Sequence, residues 1–419
     1  MNTFILSLSE RLIKVGVMFF ISIIAALYLE KQKFGELNFV LQLYPIALCL
    51  CSVGLQGGAF RDISKRKESL VVVNVLIIRI IAGGLLCCLG WLTAVVTSYD
   101  ESWLLAILLV GCVFHPYEVF DYYFKAWSDY KTAAVLKIAA YLVSAGAKLV
   151  SIIFYNSIFY FVAAHVLESL LILIMFFIMY NKESVGLYKK ATPWRYFVEN
   201  ITEARSLFIS SLILCVYMRI DIFVIDAIVG VEKLAEYSLV LKFVDGANIL
   251  IIAFLTSVVP GMVRIKSDDK LYYDSLKVVF SNVILLSFSS FFFVLFVAET
   301  ILYVLFKEDY FYQTLGYLWL MCCFIPVFYF KSLFIRILHL EHLGSINLKL
   351  HILCLIINIL LSCILTYFFG VLGAVIGTLI TGLLAIAYLL LCKELLVYKK
   401  AFLFSLSNPF YGVGLRRVG

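Results

Sequence analysis

Apolar residues fall into twelve runs of roughly twenty or more positions, punctuated by charged residues, Gly, Pro and Asn, at about 12–29, 36–58, 70–96, 103–124, 132–154, 157–180, 206–229, 236–262, 278–305, 313–335, 347–369 and 371–395. A helix needs about twenty apolar residues to cross the hydrocarbon, and unpaired strands are not tolerated there, so the pattern predicts an all-α integral membrane protein of twelve transmembrane helices. Polar residues recur inside two of the runs at helical spacing. In the fifth, Lys137, Tyr141, Ser144, Lys148, Ser151 and Tyr155 stay within about 40° of one line while the opposite face is Ala, Val, Leu and Ile. Such a stripe is either the wall of a water-filled cavity or two snorkelling lysines with satisfied hydroxyls between them. Lys148 lies too far from the cytoplasmic end to snorkel there comfortably, which favours the cavity. His351, Asn358, Ser362 and Thr366 form a weaker stripe in the eleventh run, where hydroxyls and amides more often serve helix packing.

A segment repeats at a spacing of 200: Lys33-Phe-Gly-Glu-Leu-Asn-Phe-Val-Leu-Gln-Leu43 returns as Lys233-Leu-Ala-Glu-Tyr-Ser-Leu-Val-Leu-Lys-Phe243, and Tyr123-Phe-Lys125 is echoed by Tyr329-Phe-Lys331. Internal repeats in a membrane protein are characteristic of transporters. The long connection at 181–205, with Pro193, Trp194 and an amphipathic segment from Tyr196 to Ile201, divides six runs from six. The expected organisation is therefore a six-helix bundle at 1–180, a cytoplasmic linker at 181–205, a second, pseudo-symmetric six-helix bundle at 206–395 and a basic cytoplasmic tail at 396–419. An even number of spans in each half relates the halves by an axis along the membrane normal.

Composition agrees, with 64% hydrophobic and only 15% charged residues. Of the 34 Lys and Arg, 24 fall on the side that holds both termini, four (Lys31, Lys33, Lys233, Lys307) on the other, and six within the spans. The positive-inside rule then places both termini in the cytoplasm. The net charge of +7 is accounted for by anchoring against an anionic leaflet and calls for no nucleic acid. All eleven Cys lie in spans as small apolar side chains, and the His339, Glu341, His342 trio lacks metal spacing, so neither a disulfide framework nor a metal site is expected. No phosphate-binding loop occurs, which argues against direct ATP hydrolysis.

Ionisable residues within hydrocarbon cost several kcal/mol and mark candidate sites. Six are basic: Arg79, Lys137, Lys148, Arg219, Lys242 and Lys331. In Tyr217-Met-Arg219-Ile-Asp221, Asp221 shares a face with Tyr217 while Arg219 points away and aligns with Asp226, which suits a cavity group and a coupling site or two structural pairs equally. Lys242 and Asp245 can neutralise each other at i, i+3. Glu168 beside His165 has the spacing of a proton relay or of a satisfied pair. The candidate cation set is thus Arg79, Lys137, Lys148, Arg219, Lys242 and Lys331, with Tyr141, Ser144 and Ser151 lining the cavity and Asp221, Glu168 and Asn358 as ion-coupling candidates.

Tyr28-Leu-Glu-Lys-Gln-Lys-Phe-Gly35-Glu, then Ser52-Val-Gly54-Leu and Arg61, then Tyr217-Met-Arg219-Ile-Asp221 leading to Glu236-Tyr-Ser, and finally Gly370-Val-Leu-Gly373-Ala-Val-Ile-Gly377-Thr give the chain a family look. It resembles, over nearly its whole length, the polysaccharide-transport family of the multidrug/oligosaccharidyl-lipid/polysaccharide (MOP) exporter superfamily, most closely the bacterial O-antigen repeat-unit flippases of Wzx type. The resemblance implies a MATE-like fold in the bacterial inner membrane and translocation of polyprenyl-pyrophosphate-linked oligosaccharide to the periplasmic leaflet. No cofactor is implied, and a polysaccharide polymerase and chain-length machinery become candidate partners. Two alternatives stand beside it. A cation-coupled multidrug exporter of the same superfamily should carry net acid in its cavity, whereas these spans favour base. A membrane polysaccharide polymerase or ligase would present its chemistry in a large external loop, and the external connections here are about seven residues at most.

Overall fold

The computed structural model describes residues 2–66, 69–97, 100–127, 129–181, 191–306, 308–341 and 343–411. These are helical nearly throughout, with no strand among the described residues. The chain separates into two compact units, Met1–Arg219 and Ile220–Gly419. The first holds α1 (Asn2–Tyr28), α2 (Lys31–Ser52), α3 (Gln56–Arg66), α4 (Ser69–Thr97), α5 (Asp100–Phe114), α6 (Tyr117–Ala126), α7 (Tyr130–Ile153), α8 (Ile158–Asn181) and α9 (Pro193–Tyr217). The second holds α10 (Ile220–Val229), α11 (Val231–Arg264), α12 (Asp269–Leu305), α13 (Glu308–Leu340), α14 (Gly344–Phe369), α15 (Val371–Leu391) and α16 (Leu396–Ser407). Among the described residues eleven helices are long and apolar enough to cross a membrane, and the shorter apolar stretch Phe208–Tyr217 stands where the seventh span was expected.

The expected run at 206–229 is not one helix. It is divided by a turn at Met218 and Arg219 between α9 and α10. Pro193 at the first turn of α9 supplies a fixed φ and needs no backbone donor, and the amphipathic 196–201 segment continues without a break into the apolar stretch. Because α9 packs on α2, α3 and α4, its residues 206–217 lie with the first unit, although the sequence reading opened the second half there. Residues 182–190 of the linker and the Arg416–Arg417 end of the tail lie outside the described residues, as does His342. The tail is not irregular at its start. Helix α16 docks on α12, where the Tyr398 hydroxyl donates to Glu341 Oε1 at 2.6 Å and meets the Tyr272 hydroxyl at 3.0 Å. Burial, then those two bonds, hold the Tyr398 pKa above the ordinary tyrosine value, so it stays a donor.

Helix order repeats, and the spacing of 200 survives as structure. Helices α2 and α11 begin at Lys31 and Val231, and α4 and α12 at Ser69 and Asp269. The halves differ in where helices break. In unit 1, Val53 and Gly54, both at positive φ (49° and 71°), separate α2 from α3, whereas the corresponding α11 runs on through Pro260. A Cβ at Gly54 would fall 2.1 Å from the Ala204 carbonyl oxygen, so this turn also sets how closely α9 approaches. Pro116 likewise divides α5 from α6, while α13 continues through Pro326.

Candidate functional site

Helix α7 starts where the Asp129 carboxylate accepts from the Thr132 N–H at 3.1 Å, the usual N-cap geometry. From there Lys137, Tyr141, Ser144, Lys148 and Ser151 all turn inward and are buried, while Val135, Leu142, Val143, Val150 and Ile153 are exposed. Tyr155, one residue beyond the helix C-cap, is exposed and falls off the stripe. Facing the stripe are α1 and α8. Lys137 Nζ bridges Glu10 Oε1 on α1 at 2.8 Å and Asp121 Oδ1 on α6 at 2.9 Å, and Lys125 is also paired with Asp121. Lys148, 1% exposed, donates to Glu168 Oε2 on α8 at 2.7 Å. Glu168 also lies 3.7 Å from Lys14 Nζ and accepts from Ser144 Oγ at 3.3 Å, and Lys14 sits 4.7 Å over the Tyr141 ring.

A third group surrounds Arg79 on α4. Its Nη1 donates to Glu118 Oε2 at 3.1 Å, which also accepts from the Tyr122 hydroxyl at 3.4 Å. Arg79 is 2% exposed, and its Nε and Nη2 have no hydrogen-bond partner among the described residues. Unit 1 thus gathers five cations (Lys14, Arg79, Lys125, Lys137, Lys148) and four carboxylates (Glu10, Glu118, Asp121, Glu168) on five helices. The stripe lysines are ion-paired members of this network, not bare cations on a cavity wall. In low dielectric an uncompensated ammonium is too costly, and neighbouring helices supply the carboxylates. Ser151 is the stripe residue that meets a cleft, an open one of about 550 Å³ between α7 and α8 that also takes in Ala147, Ala164, Leu167, Tyr155 and Tyr160.

The remaining candidates do not join this network. Arg219 lies half-buried in the turn after α9. In unit 2, the Asp221 carboxylate is buried and accepts from the Tyr237 hydroxyl on α11. Lys242 and Asp245 are half-buried on α11, and Lys331 is buried on α13 within electrostatic reach of His351 and Cys354 on α14. On α14, Asn347, His351, Cys354, Asn358, Ser362 and Thr366 are all buried. Asn358 Oδ1 accepts from Ser362 Oγ at 2.6 Å, and both His351 ring nitrogens lack a hydrogen-bond partner among the described residues. Glu10 and Lys14 are members of the network that the sequence reading did not single out. The available signal was an acid and a base one turn apart at the edge of an apolar run.

Residues 1–266 match the family described as "Polysaccharide biosynthesis protein". The chain belongs to that family. No curated protein matches the sequence. Among solved structures, a lipid II flippase, MurJ, in an inward closed conformation aligns with TM-score 0.70 at 15% identity, over 98% of this chain and 91% of that one. An inward-facing MATE-family multidrug resistance transporter of the MOP superfamily gives 0.69 at 14%, over 97% and 96%. A MOP-superfamily transporter from Pyrococcus furiosus, whose description reads "Reverse polarity of binding pocket suggests different function", gives 0.65 at 13%, over 97% and 95%. At these identities the likeness defines the fold: this member of the polysaccharide biosynthesis family has the multi-pass helical architecture of MOP transporters.

Proposed function

We propose that the protein is a flippase, not an enzyme, that moves a polyprenyl-pyrophosphate-linked oligosaccharide, an O-antigen or related surface-polysaccharide repeat unit, from the cytoplasmic to the periplasmic leaflet of a bacterial inner membrane by alternating access. The observation that carries the reading is the ion-pair network of unit 1, five cations against four carboxylates with Arg79, Lys137 and Lys148 buried, in a chain of this family. A pyrophosphate is bound by fixed cations in low dielectric, where each charge-assisted contact is strong. Arg79, Lys137 and Lys148, with Arg219, Lys242 and Lys331, form the proposed cationic set, and Tyr141, Ser144 and Ser151 supply hydroxyls beside it. Since Lys137 and Lys148 already hold carboxylates, the headgroup binds by exchanging partners with Glu10, Asp121 and Glu168. Outward movement of an anion across an inside-negative potential is favoured by about 2.3 kcal/mol per charge per 100 mV. Asp221, Glu168 and Asn358 are the proposed positions for any coupled ion, and a polysaccharide polymerase with its chain-length machinery is the proposed protein partner.

The test is the double variant K137Q/K148Q at wild-type membrane abundance. Surface polysaccharide should be lost while lipid-linked oligosaccharide accumulates unflipped. Undiminished surface polysaccharide would remove both lysines from the route. The multidrug-exporter reading predicts instead that the wild-type chain extrudes a hydrophobic organic cation such as ethidium.

A further inference from the structure

Glu168 serves more cations than one carboxylate can fully satisfy. Lys148 Nζ is 2.7 Å from one of its oxygens and Lys14 Nζ 3.7 Å from the other, and Ser144 Oγ donates to it as well. The pair is buried one side-chain layer behind a cleft. Ala147 and Ser151, which flank Lys148 on α7, and Ala164 and Leu167, which flank Glu168 on α8, line the open cleft of about 550 Å³ near the turn that joins these helices. A guest in the cleft is therefore one side-chain layer from an ammonium that a carboxylate holds at 2.7 Å. Phosphate oxygens offer that ammonium the same chemistry at higher charge.

We infer that Glu168 is an internal competitor for a diphosphate at Lys148, yielding the ammonium when the guest arrives and expelling the guest when it reclaims it. The inference rests on the flippase reading and adds what that reading lacks, a means of release. A fixed cation with no competitor would hold a pyrophosphate too well to turn over. Lys14 makes the exchange affordable in low dielectric: it is 41% exposed, and it stays beside the carboxylate when Lys148 is taken, so neither charge is left without a partner.

The experiment is calorimetric titration of the purified full-length chain, in lipid nanodiscs, with inorganic pyrophosphate. E168Q should bind it at least about tenfold tighter than wild type, the least that one recovered charge-assisted hydrogen bond is worth. E168D, which keeps the charge but shortens its reach, should fall between and keeps the test open if E168Q does not fold. E168Q/K148Q should lose the gain. Equal or weaker binding by monodisperse E168Q or E168D overturns the competitor role and leaves the flippase reading standing. A gain that survives K148Q also overturns it, because Lys148 is then not the shared cation. If no form binds pyrophosphate and all bind ethidium, both readings fall. If K137Q/K148Q cells display normal polysaccharide, both lysines leave the route and the competitor role falls with them, whatever the titration gives.

Discussion

Lys137 shows what a buried charge requires at the scale of one residue. Its ammonium sits between Glu10 and Asp121, each within 3 Å, so removing it takes this cation from Glu10 and leaves Asp121 with Lys125 alone. K137Q is expected to destabilise unit 1 by about 3–5 kcal/mol, as breaking buried pairs generally does. E10Q in the same background should recover part of that loss, with a coupling of about 1–3 kcal/mol in the double-mutant cycle read by thermal unfolding in detergent. Strict additivity would mean that Glu10 and Lys137 do not interact. The inward stripe on α7 was legible in sequence because 100° per residue determines which side chains share a face. Its partners were not, because Glu10, Asp121 and Glu168 come from three other helices, and helical spacing carries no information about which helix packs against which. The same limit is why the sequence favoured lysines on a cavity wall where the structure pairs them with acid.

Helix pairs extend the comparison. Counted from the first residue of each helix, Tyr130 in α7 and Gly344 in α14, Lys137 corresponds to His351, Ser144 to Asn358 and Lys148 to Ser362. Counted likewise from Ile158 and Val371, Glu168 of α8 corresponds to Thr381 of α15. The second half thus keeps the stripe in neutral form, and its two helices meet through glycine where the first pair meets through charge. A Cβ on Gly373 would lie 2.0 Å from the Leu365 carbonyl oxygen, a backbone atom that cannot swing aside. G373A should therefore force α14 and α15 apart and cost about 1–3 kcal/mol, with a lower Tm. G146A on α7, where a new Cβ meets nothing within 4 Å, should be neutral or stabilising by up to about 1 kcal/mol through helix propensity. Equal effects of the two substitutions would show that the close approach is not what Gly373 provides. Helix existence was readable because a twenty-residue apolar run has few alternatives in a bilayer. The breaks were harder, since Pro116 and the Met218–Arg219 turn fall inside runs that hydropathy reads as continuous.

For the whole molecule, the uneven distribution of basic residues makes a claim about direction. With 24 Lys and Arg on the side of the termini and four on the other, the α7–α8 connection should face the periplasm and the approach to α9 the cytoplasm. Ser157 and Thr192 report these two places and tolerate a near-isosteric thiol. In intact spheroplasts, a membrane-impermeant maleimide should label S157C above the unsubstituted chain and leave T192C unlabelled until the membrane is opened. Labelling in the reverse order would invert the topology and, with it, the direction of transport. The same experiment bears on release. The cleft at Tyr155 and Tyr160 lies at this α7–α8 end, so external labelling of S157C puts the Lys148–Glu168 exchange near the leaflet where a flipped headgroup must be given up. There a competitor carboxylate shortens the residence of the product, whereas near the opposite leaflet it would oppose loading. Labelling of S157C from the cytoplasmic side would accordingly turn the predicted effect of E168Q from slowed turnover to faster loading, a sign that single-turnover flipping assays can read.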